Sequence, residues 1–195
     1  MSAKRFDALL FDAGGVFVVP DHIALGDALG HRPNSLDGHR AHYHALSALE
    51  RDALSNKAKD ADGIEHLDWS VYRGAWAEAI GDTSPHTVED RLRRVWTALL
   101  WRARIEESVA ALWKLFNRKV PIGVVSNASG QIEGILATQG ITDGSRIGYI
   151  GDSFINDVAG AAAAGLVPLH LDPYGLYGDL GHERIESLHD LLDWV

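Results

Sequence analysis

Acidic residues follow two short apolar runs of this sequence. Asp12 comes directly after the run 8–11, and Asp152 and Asp157 come shortly after the run 147–150. If both runs are parallel strands, their carboxyl ends meet at one edge of the sheet, where open α/β folds bind ligands. Carboxylates gathered there repel one another unless a cation neutralises them, and an all-oxygen ligand set favours Mg²⁺. The three acids are therefore candidate metal ligands.

Two further apolar runs complete the pattern of a sheet. Residues 120–125 end at Ser126-Asn127, and residues 166–171 end at Asp172-Pro173. Each of the four runs is short, lacks a helical period and stops at turn residues, which is typical of buried strands. All but the last lead into a helix-like segment. The runs therefore predict an α/β fold with a four-stranded parallel sheet that helices cover on both faces.

The long interval between the first two strands is predicted to be helical. Apolar residues recur there at spacings of three and four, which indicates helices with one buried face. The predicted helices are 23–29 with Asp21 as N-cap, 36–59, a third around 69–80 and a fourth from 87 onward. A further helix over 105–116 returns the chain to the sheet. We therefore divide the chain into a core domain, 1–19 and 96–195, and an inserted helical domain, 20–95.

The composition is that of a globular protein and excludes several kinds of site. The chain has 195 residues, 46% hydrophobic and 23% charged, which excludes disordered and fibrous chains. The net charge of −9 argues against a nucleic-acid partner. The absence of cysteine removes disulfides, thiolate metal sites and thiol nucleophiles. The first residues do not read as a signal peptide or a membrane span, so we expect a cytoplasmic protein with no membrane partner.

Three motifs resemble those of the haloacid dehalogenase-like (HAD) hydrolase superfamily. Residues 12–16, Asp-Ala-Gly-Gly-Val after an apolar strand, are similar to its motif one, and Ser126-Asn127 is similar to its motif two. Residues 151–157, Gly-Asp-Ser-Phe-Ile-Asn-Asp, are similar to motif four, the most specific of the set. The helical insert stands where the superfamily's helical-cap subclass has its cap. The resemblance implies a Rossmann-like three-layer core with an inserted α-helical cap.

The resemblance also implies a role for each motif residue. Asp12 would be the nucleophile that forms an aspartyl-phosphate, and it would bind Mg²⁺ together with the backbone carbonyl of Gly14. Ser126 and the N–H of Asn127 would bind phosphoryl oxygens. The two acids of motif four would hold the Mg²⁺, which reduces the repulsion between an anionic nucleophile and an anionic phosphate.

One departure from the superfamily pattern concerns proton transfer. Its phosphatases carry a second Asp two positions after the nucleophile, as general acid and base, but Gly14 stands there in this chain. General acid–base help is worth about 10²–10⁴-fold, so we expect slow turnover or a replacement acid. Asp21 and His22 are the candidates for a replacement, although helix capping and a surface role are the favoured interpretations of these two residues.

A second departure concerns the lysine of motif three. Residues 127–151 contain no Lys, and their one cation, Arg146, is predicted at the wrong end of the third strand. The interval is also too short for the strand and helix that the superfamily has there. Either this unit has been deleted in the protein, or a segment is missing from the sequence between motifs two and four. A helix over 131–139 would then connect strands on opposite sides of the first strand.

Three functions are compatible with these residues. The leading interpretation is a Mg²⁺-dependent phosphatase of a small phosphorylated metabolite, because a helical cap would exclude large phosphoproteins. A catalytically impaired protein with a binding or regulatory role is the alternative, since Gly14 and the missing Lys both weaken catalysis. Haloacid dehalogenation, which needs no metal in this superfamily, is disfavoured by the two acids of motif four.

Overall fold

The structure, a computed structural model, describes residues 4–57, 67–82, 85–125, 144–178 and 180–195. The chain divides into two compact units, Met1–Phe17 with Arg104–Val195, and Val18–Ala103. The first unit carries the parallel sheet, and the second is mainly helical. Within the described ranges, every helix is too short or too polar to cross a membrane.

The elements of both units follow one another along the chain as short strands and helices. The strands among the described residues are β1 (Ala8–Phe11), β2 (Val18–Pro20), β3 (Trp101–Arg104), β4 (Ile122–Val124), β5 (Ile147–Gly151), β6 (Val167–Leu171) and β7 (Arg184–Ile185). The α-helices are α1 (His22–Leu29), α2 (Ser35–Lys57), α3 (Trp69–Ala79), α4 (Pro85–Val95), α5 (Glu106–Asn117) and α6 (Ala159–Ala163). A π-helical turn, Phe154–Val158, precedes α6. The predicted end of the second helix, residue 59, lies outside the described residues.

Among the described residues, five parallel strands form the main sheet in the order β4-β1-β5-β6-β7. The strands β1 and β5 are buried along their whole length, which explains why both read as continuous apolar runs. The prediction of four strands is wrong by one, because β7 has only two residues and leaves no pattern in the sequence. As predicted, β4 and β5 lie on opposite sides of β1, since Leu10 pairs with both Gly123 and Tyr149. The predicted helix 131–139 lies outside the described residues.

Helices cover both faces of this sheet. Leu9 of β1 packs into one apolar cluster with Leu115 of α5, whereas Leu10 packs into a second cluster with Ala161 of α6. Successive side chains of a strand point to opposite faces, so the sheet is the middle one of three layers. The first unit therefore has the predicted α/β architecture.

The second unit packs its helices around a core of its own. Tyr72 and Trp76 of α3 are fully buried, so these two aromatic residues belong to the core. His42 of α2 is also fully buried, and its Nδ1 lies 2.7 Å from the hydroxyl of Tyr72. Burial lowers the pKa of His42 to about 3, so its ring is neutral at physiological pH. The strands β2 and β3 form a separate two-stranded sheet.

The helix α1 begins at the predicted N-cap. Oδ1 of Asp21 accepts hydrogen bonds from the N–H groups of Ile23 at 2.9 Å and Ala24 at 3.2 Å. Its other oxygen accepts one from Arg102 at 2.7 Å. The side chain thus satisfies two of the N–H groups that the first turn of a helix leaves without a partner.

Replacing Asp21 with Ala is expected to destabilise the protein by about 1 kcal/mol, because the cap of α1 is lost. The ion pair adds little, since the Arg102 side chain is 64% exposed. Asp21→Asn keeps a capping oxygen and should lose less than half as much stability. Chemical denaturation measures both changes, and equal losses in the two variants would contradict the capping role.

Candidate metal centre

Three carboxylates converge at the carboxyl end of the sheet. Asp12, Asp152 and Asp157 each bring one oxygen to within 4.8 Å of the oxygens of the other two. Asp152 and Asp157 are buried, and Asp12 is half-buried. Asp12 and Asp152 directly follow the neighbouring strands β1 and β5. The first unit therefore brings together the three acids that the sequence singles out.

Asp12 is held by the backbone around it. Its N–H donates to the carbonyl of Ile150 at 2.8 Å, which extends the pairing of β1 with β5 by one residue. Its carboxylate accepts hydrogen bonds from the N–H groups of Ala13 and Gly14. Burial raises the pKa of Asp12, and these two donors partly oppose the rise. The position of the carboxylate thus follows from the sheet and from the turn after β1.

Asp152 packs directly against the backbone of Gly15. A Cβ atom at position 15 would lie 1.7 Å from Oδ2 of Asp152, and Gly15 has a φ of +69°. Any other residue there would collide with the carboxylate and would also adopt an unfavourable backbone conformation. Gly15 therefore provides the space in which Asp152 approaches the motif-one turn, a role that the sequence alone did not assign to it.

Asp157 lies in the π-helical turn and folds back over the end of β5. Its Oδ2 accepts a hydrogen bond from the N–H of Ser153 at 2.9 Å, and the hydroxyl of Tyr149 lies 3.3 Å from its Oδ1. A Cβ atom at Gly151 would lie 2.1 Å from Cγ of Asp157. The glycine before Asp152 is thus needed for the close approach of Asp157, and π-helical turns are frequent at functional sites.

Burial and mutual repulsion disfavour the state in which all three carboxylates are charged. Burial raises the pKa of Asp157 to about 8, and the charges of Asp152 and Asp12 add to the rise. Burial likewise raises the pKa of the Tyr149 phenol, helped by the charge of Asp157. The phenol therefore stays protonated and remains a hydrogen-bond donor. Near neutral pH the metal-free cluster retains a proton that a bound cation would displace.

The donor set fits a small divalent cation. All three groups offer carboxylate oxygens, which suit Mg²⁺ better than softer metals. Two oxygens on opposite sides of one Mg²⁺ are about 4.2 Å apart, because each lies about 2.1 Å from the ion. The 4.8 Å span of Asp12, Asp152 and Asp157 is therefore within a small side-chain adjustment of a shared ion. A cation would also relieve the repulsion among the three charges.

The prediction also names Ser126, Asn127 and the backbone carbonyl of Gly14 as parts of the site. Ser126 and Asn127 lie outside the described residues. Their neighbour Val125 donates its N–H to the carbonyl of Phe11 at 2.8 Å, so the chain reaches position 125 beside the last residue of β1. Gly14 donates its N–H to Asp12, and the role of its carbonyl as a metal ligand stays a prediction.

Arg146 stands at the opposite end of the sheet, as predicted. It directly precedes β5, and its Nη2 donates to Oδ1 of Asp7, the residue before β1, at 2.9 Å. The carboxylate cluster follows the carboxyl ends of the same two strands. Because the length of the sheet separates Arg146 from the cluster, this cation does not replace the missing lysine.

The two candidate replacement acids belong to the second unit. Partial burial tends to raise the pKa of Asp21, but the hydrogen bonds from Arg102 and from two backbone N–H groups outweigh this effect and lower the pKa. A carboxyl group with a lowered pKa is ionised at neutral pH and is a poor proton donor. His22 is the first residue of α1. The capping interpretation of Asp21 is thus confirmed by its hydrogen bonds.

A histidine pair beside the cluster was missed from the sequence. His170 of β6 is fully buried, and its Nε2 lies 2.9 Å from the backbone carbonyl oxygen of Asp152. Its Nδ1 lies 2.7 Å from Nε2 of His182. Burial lowers the pKa of His170 to about 4, so the ring is neutral. The one available signal was a single histidine within the otherwise apolar run 166–171.

Comparison with known proteins identifies the fold. The HAD-type hydrolase YfnB from Bacillus subtilis, solved with bound magnesium, is 16% identical to this chain, with a TM-score of 0.51 over 97% of this chain and 98% of that one. The L-2-haloacid dehalogenase RSc1362 is also 16% identical, with a TM-score of 0.50 over 98% and 99% of the two chains. No family model and no curated protein sequence matches the chain. The chain therefore has the HAD-type fold that its motifs predict.

Replacing Asp157 with Asn is expected to stabilise the metal-free protein at pH 8. The pKa of Asp157 rises on folding from 3.8 to about 8, so its contribution to stability is fully present below pH 4 and is lost as the pH rises through 8. The Asn side chain removes this charge and can still accept from Ser153 and donate to Tyr149. We expect the variant to melt several degrees above the wild type at pH 8 and no difference near pH 4.

Added Mg²⁺ provides the control for this prediction. Saturating Mg²⁺ should raise the melting temperature of the wild type much more than that of Asp157→Asn, because the variant lacks one of the three charged ligands. Thermal denaturation with EDTA or with Mg²⁺ measures both effects. A metal-free variant that is less stable than the wild type at pH 8 would contradict the electrostatic interpretation of the cluster.

Proposed function

We propose that this chain is a Mg²⁺-dependent phosphatase of a small phosphorylated metabolite, with Asp12 as the nucleophile. The observation that carries the proposal is the convergence of Asp12, Asp152 and Asp157 within 4.8 Å at the carboxyl end of the sheet. Substrates of open α/β folds bind at this end. A metal-bound HAD-type structure is among the proteins that share the fold.

The proposal assigns the motif residues to two tasks, binding of the metal and binding of the phosphoryl group. Asp12, Asp152 and Asp157 would hold the Mg²⁺, with Gly14 supplying a backbone carbonyl. The bound ion supplies positive charge that offsets the repulsion between the Asp12 carboxylate and the phosphate. Ser126 and the N–H of Asn127 would bind the phosphoryl oxygens.

The reaction proceeds in two displacements at phosphorus. An oxygen of Asp12 attacks the phosphorus atom, the bond to the leaving oxygen breaks, and an aspartyl-phosphate forms. Water then attacks the phosphorus of this intermediate, which releases inorganic phosphate and regenerates the Asp12 carboxylate. The N–H groups of Ala13 and Gly14, which hydrogen-bond this carboxylate, keep it oriented for the attack.

Gly14 limits the range of leaving groups. Its position supplies no side-chain proton, so the leaving oxygen departs as an anion or takes its proton from water. Phosphate esters of acidic alcohols, such as phenols, therefore react faster than alkyl phosphates. The missing general acid slows the hydrolysis of such esters least, so an aryl phosphate is the most sensitive substrate for an assay.

The helical unit Val18–Ala103 takes the part of a cap in this proposal. A helical cap, which the resemblance to the HAD superfamily implies, restricts substrates to small molecules and excludes water during the first displacement. Large phosphoproteins are excluded as substrates for the same reason.

Haloacid dehalogenation is the less favoured of the two alternatives to a phosphatase. A halide leaves without a proton, so Gly14 would be no handicap, and a haloacid dehalogenase shares the fold. The charges of Asp152 and Asp157 weigh against it. Both are buried beside Asp12, and in a reaction without a metal they would only repel the anionic substrate. The other alternative, a catalytically impaired protein with a binding or regulatory role, is separated from both by the assay below.

Phosphate release from an aryl phosphate tests the proposal. We expect turnover that requires Mg²⁺, stops with EDTA and falls at least about 10³-fold in Asp12→Asn, because the nucleophile is lost. Asp193→Asn, an exposed carboxylate of the same unit, is the matched control and should retain full activity.

The other outcomes separate the alternatives. Chloride release from a 2-haloacid in the presence of EDTA would replace the phosphatase by a dehalogenase. Mg²⁺ binding in calorimetry without turnover of either substrate would indicate a binding role. Phosphate release that survives in Asp12→Asn would contradict the proposed nucleophile.

A further inference from the structure

One peptide group connects two of the three acids. The peptide between Asp152 and Ser153 has its carbonyl oxygen 2.9 Å from Nε2 of His170, and its N–H donates to the carboxylate of Asp157 at 2.9 Å. A carbonyl can only accept, so Nε2 of His170 is the donor. The peptide plane is therefore clamped from both sides, and a rotation of that plane would break both hydrogen bonds.

The ring of His170 is itself fixed in place. It is fully buried and meets the ring of Tyr177 edge-on at 4.4 Å between centroids. With the proton of the neutral ring on Nε2, its Nδ1 accepts a hydrogen bond, and Nε2 of His182 lies 2.7 Å away. His182 in turn packs against Phe154 at 4.9 Å between ring centroids. His182, with its proton on Nε2, complements the tautomer in which His170 donates to Asp152.

We infer that His170 is a positioning residue of the metal centre. Through the peptide between Asp152 and Ser153 it fixes the direction of the N–H that holds the Asp157 carboxylate, and so it sets the geometry in which Asp152 and Asp157 share a cation. His182 supports this role through the tautomer of His170. The inference rests on the proposed function for the identity of the cation.

The two hydrogen bonds of this peptide group strengthen each other. A carbonyl that accepts a hydrogen bond polarises its peptide group, so the N–H at the other end becomes a stronger donor. The buried surroundings strengthen both bonds for the same reason. Groups that orient metal ligands from outside the first coordination sphere typically change metal affinity by about 10–100-fold when they are lost.

The test compares Mg²⁺ affinities of the full chain by isothermal titration calorimetry, without substrate. His170→Phe keeps a planar ring and removes the donor, so we expect the Mg²⁺ dissociation constant to rise by about 10–100-fold. His170→Gln places an N–H donor near the position of Nε2 and should restore part of the affinity. If His170→Phe does not fold, the Mg²⁺ affinity of His170→Gln still tests the inference.

A buried histidine of the other unit provides the matched control. His42 is also fully buried and lies 2.7 Å from a tyrosine hydroxyl, so His42→Phe carries a comparable structural penalty. It should lower the melting temperature and leave the Mg²⁺ affinity unchanged. An equal loss of affinity in His42→Phe and His170→Phe would overturn the inference, because general destabilisation would then explain both.

Amide hydrogen exchange of the metal-free protein gives a second readout. In His170→Phe the N–H of Ser153 should exchange at least about tenfold faster, while that of Leu9, which bonds to Pro121 in the sheet, should not change. His182→Phe should have a smaller effect than His170→Phe, and no additional effect in the double variant, because His182 acts through His170.

The outcomes separate this inference from the proposed function. If the wild type binds Mg²⁺ and folded His170→Phe binds it equally tightly, the inference fails and the proposed function stands. If the wild type binds no Mg²⁺, the proposed function fails and the positioning role falls with it. If the N–H of Ser153 exchanged at the same rate in His170→Phe as in the wild type, His170 would not hold this peptide group, and the inference would fail.

Discussion

Mutual repulsion of three buried or half-buried carboxylates is the constraint on which the site depends. Asp12, Asp152 and Asp157 nevertheless lie within 4.8 Å of one another, because each is positioned by its own contacts. The end of β1 fixes Asp12, Asp152 packs on Gly15, and Asp157 packs on Gly151. Burial raises the pKa values of Asp12 and Asp157, and for Asp157 the charges of Asp152 and Asp12 add to the rise. A divalent cation bound at this place would reduce the repulsion among the three carboxylates.

The sequence predicts those parts of the structure that depend on local pattern. Central parallel strands are buried on both faces, so β1 and β5 appear as unbroken apolar runs, and the acids that end them mark the carboxyl edge of the sheet. The helix α1 was predictable because Asp21 is a typical N-cap. The prediction of four strands failed at β7, whose two residues are too few for any pattern.

The remaining features depend on contacts that no local pattern records. His170 reaches Asp152 because β6 pairs with β5 so that His170 stands beside Gly151, and this register is a property of the assembled sheet. The approach of Tyr149 to Asp157 requires the π-helical turn to fold back over β5. The glycines at 15 and 151 were visible as motif letters, but the collisions that they avoid became apparent only in three dimensions. Gly14 and the absence of a lysine between residues 127 and 151 are the two departures from the superfamily's motifs. Arg146 does not take the place of that lysine, because it lies at the opposite end of the sheet.

The central claim is that Asp12, Asp152 and Asp157 share one divalent cation. A crystal structure of the protein grown with Mn²⁺ as a stand-in for Mg²⁺, with an anomalous difference map, tests it most directly. We expect one strong peak at the carboxyl end of the sheet, in direct or single-water contact with all three carboxylates. A saturated crystal with no peak there, or with the ion bound by only one of the three, would contradict it.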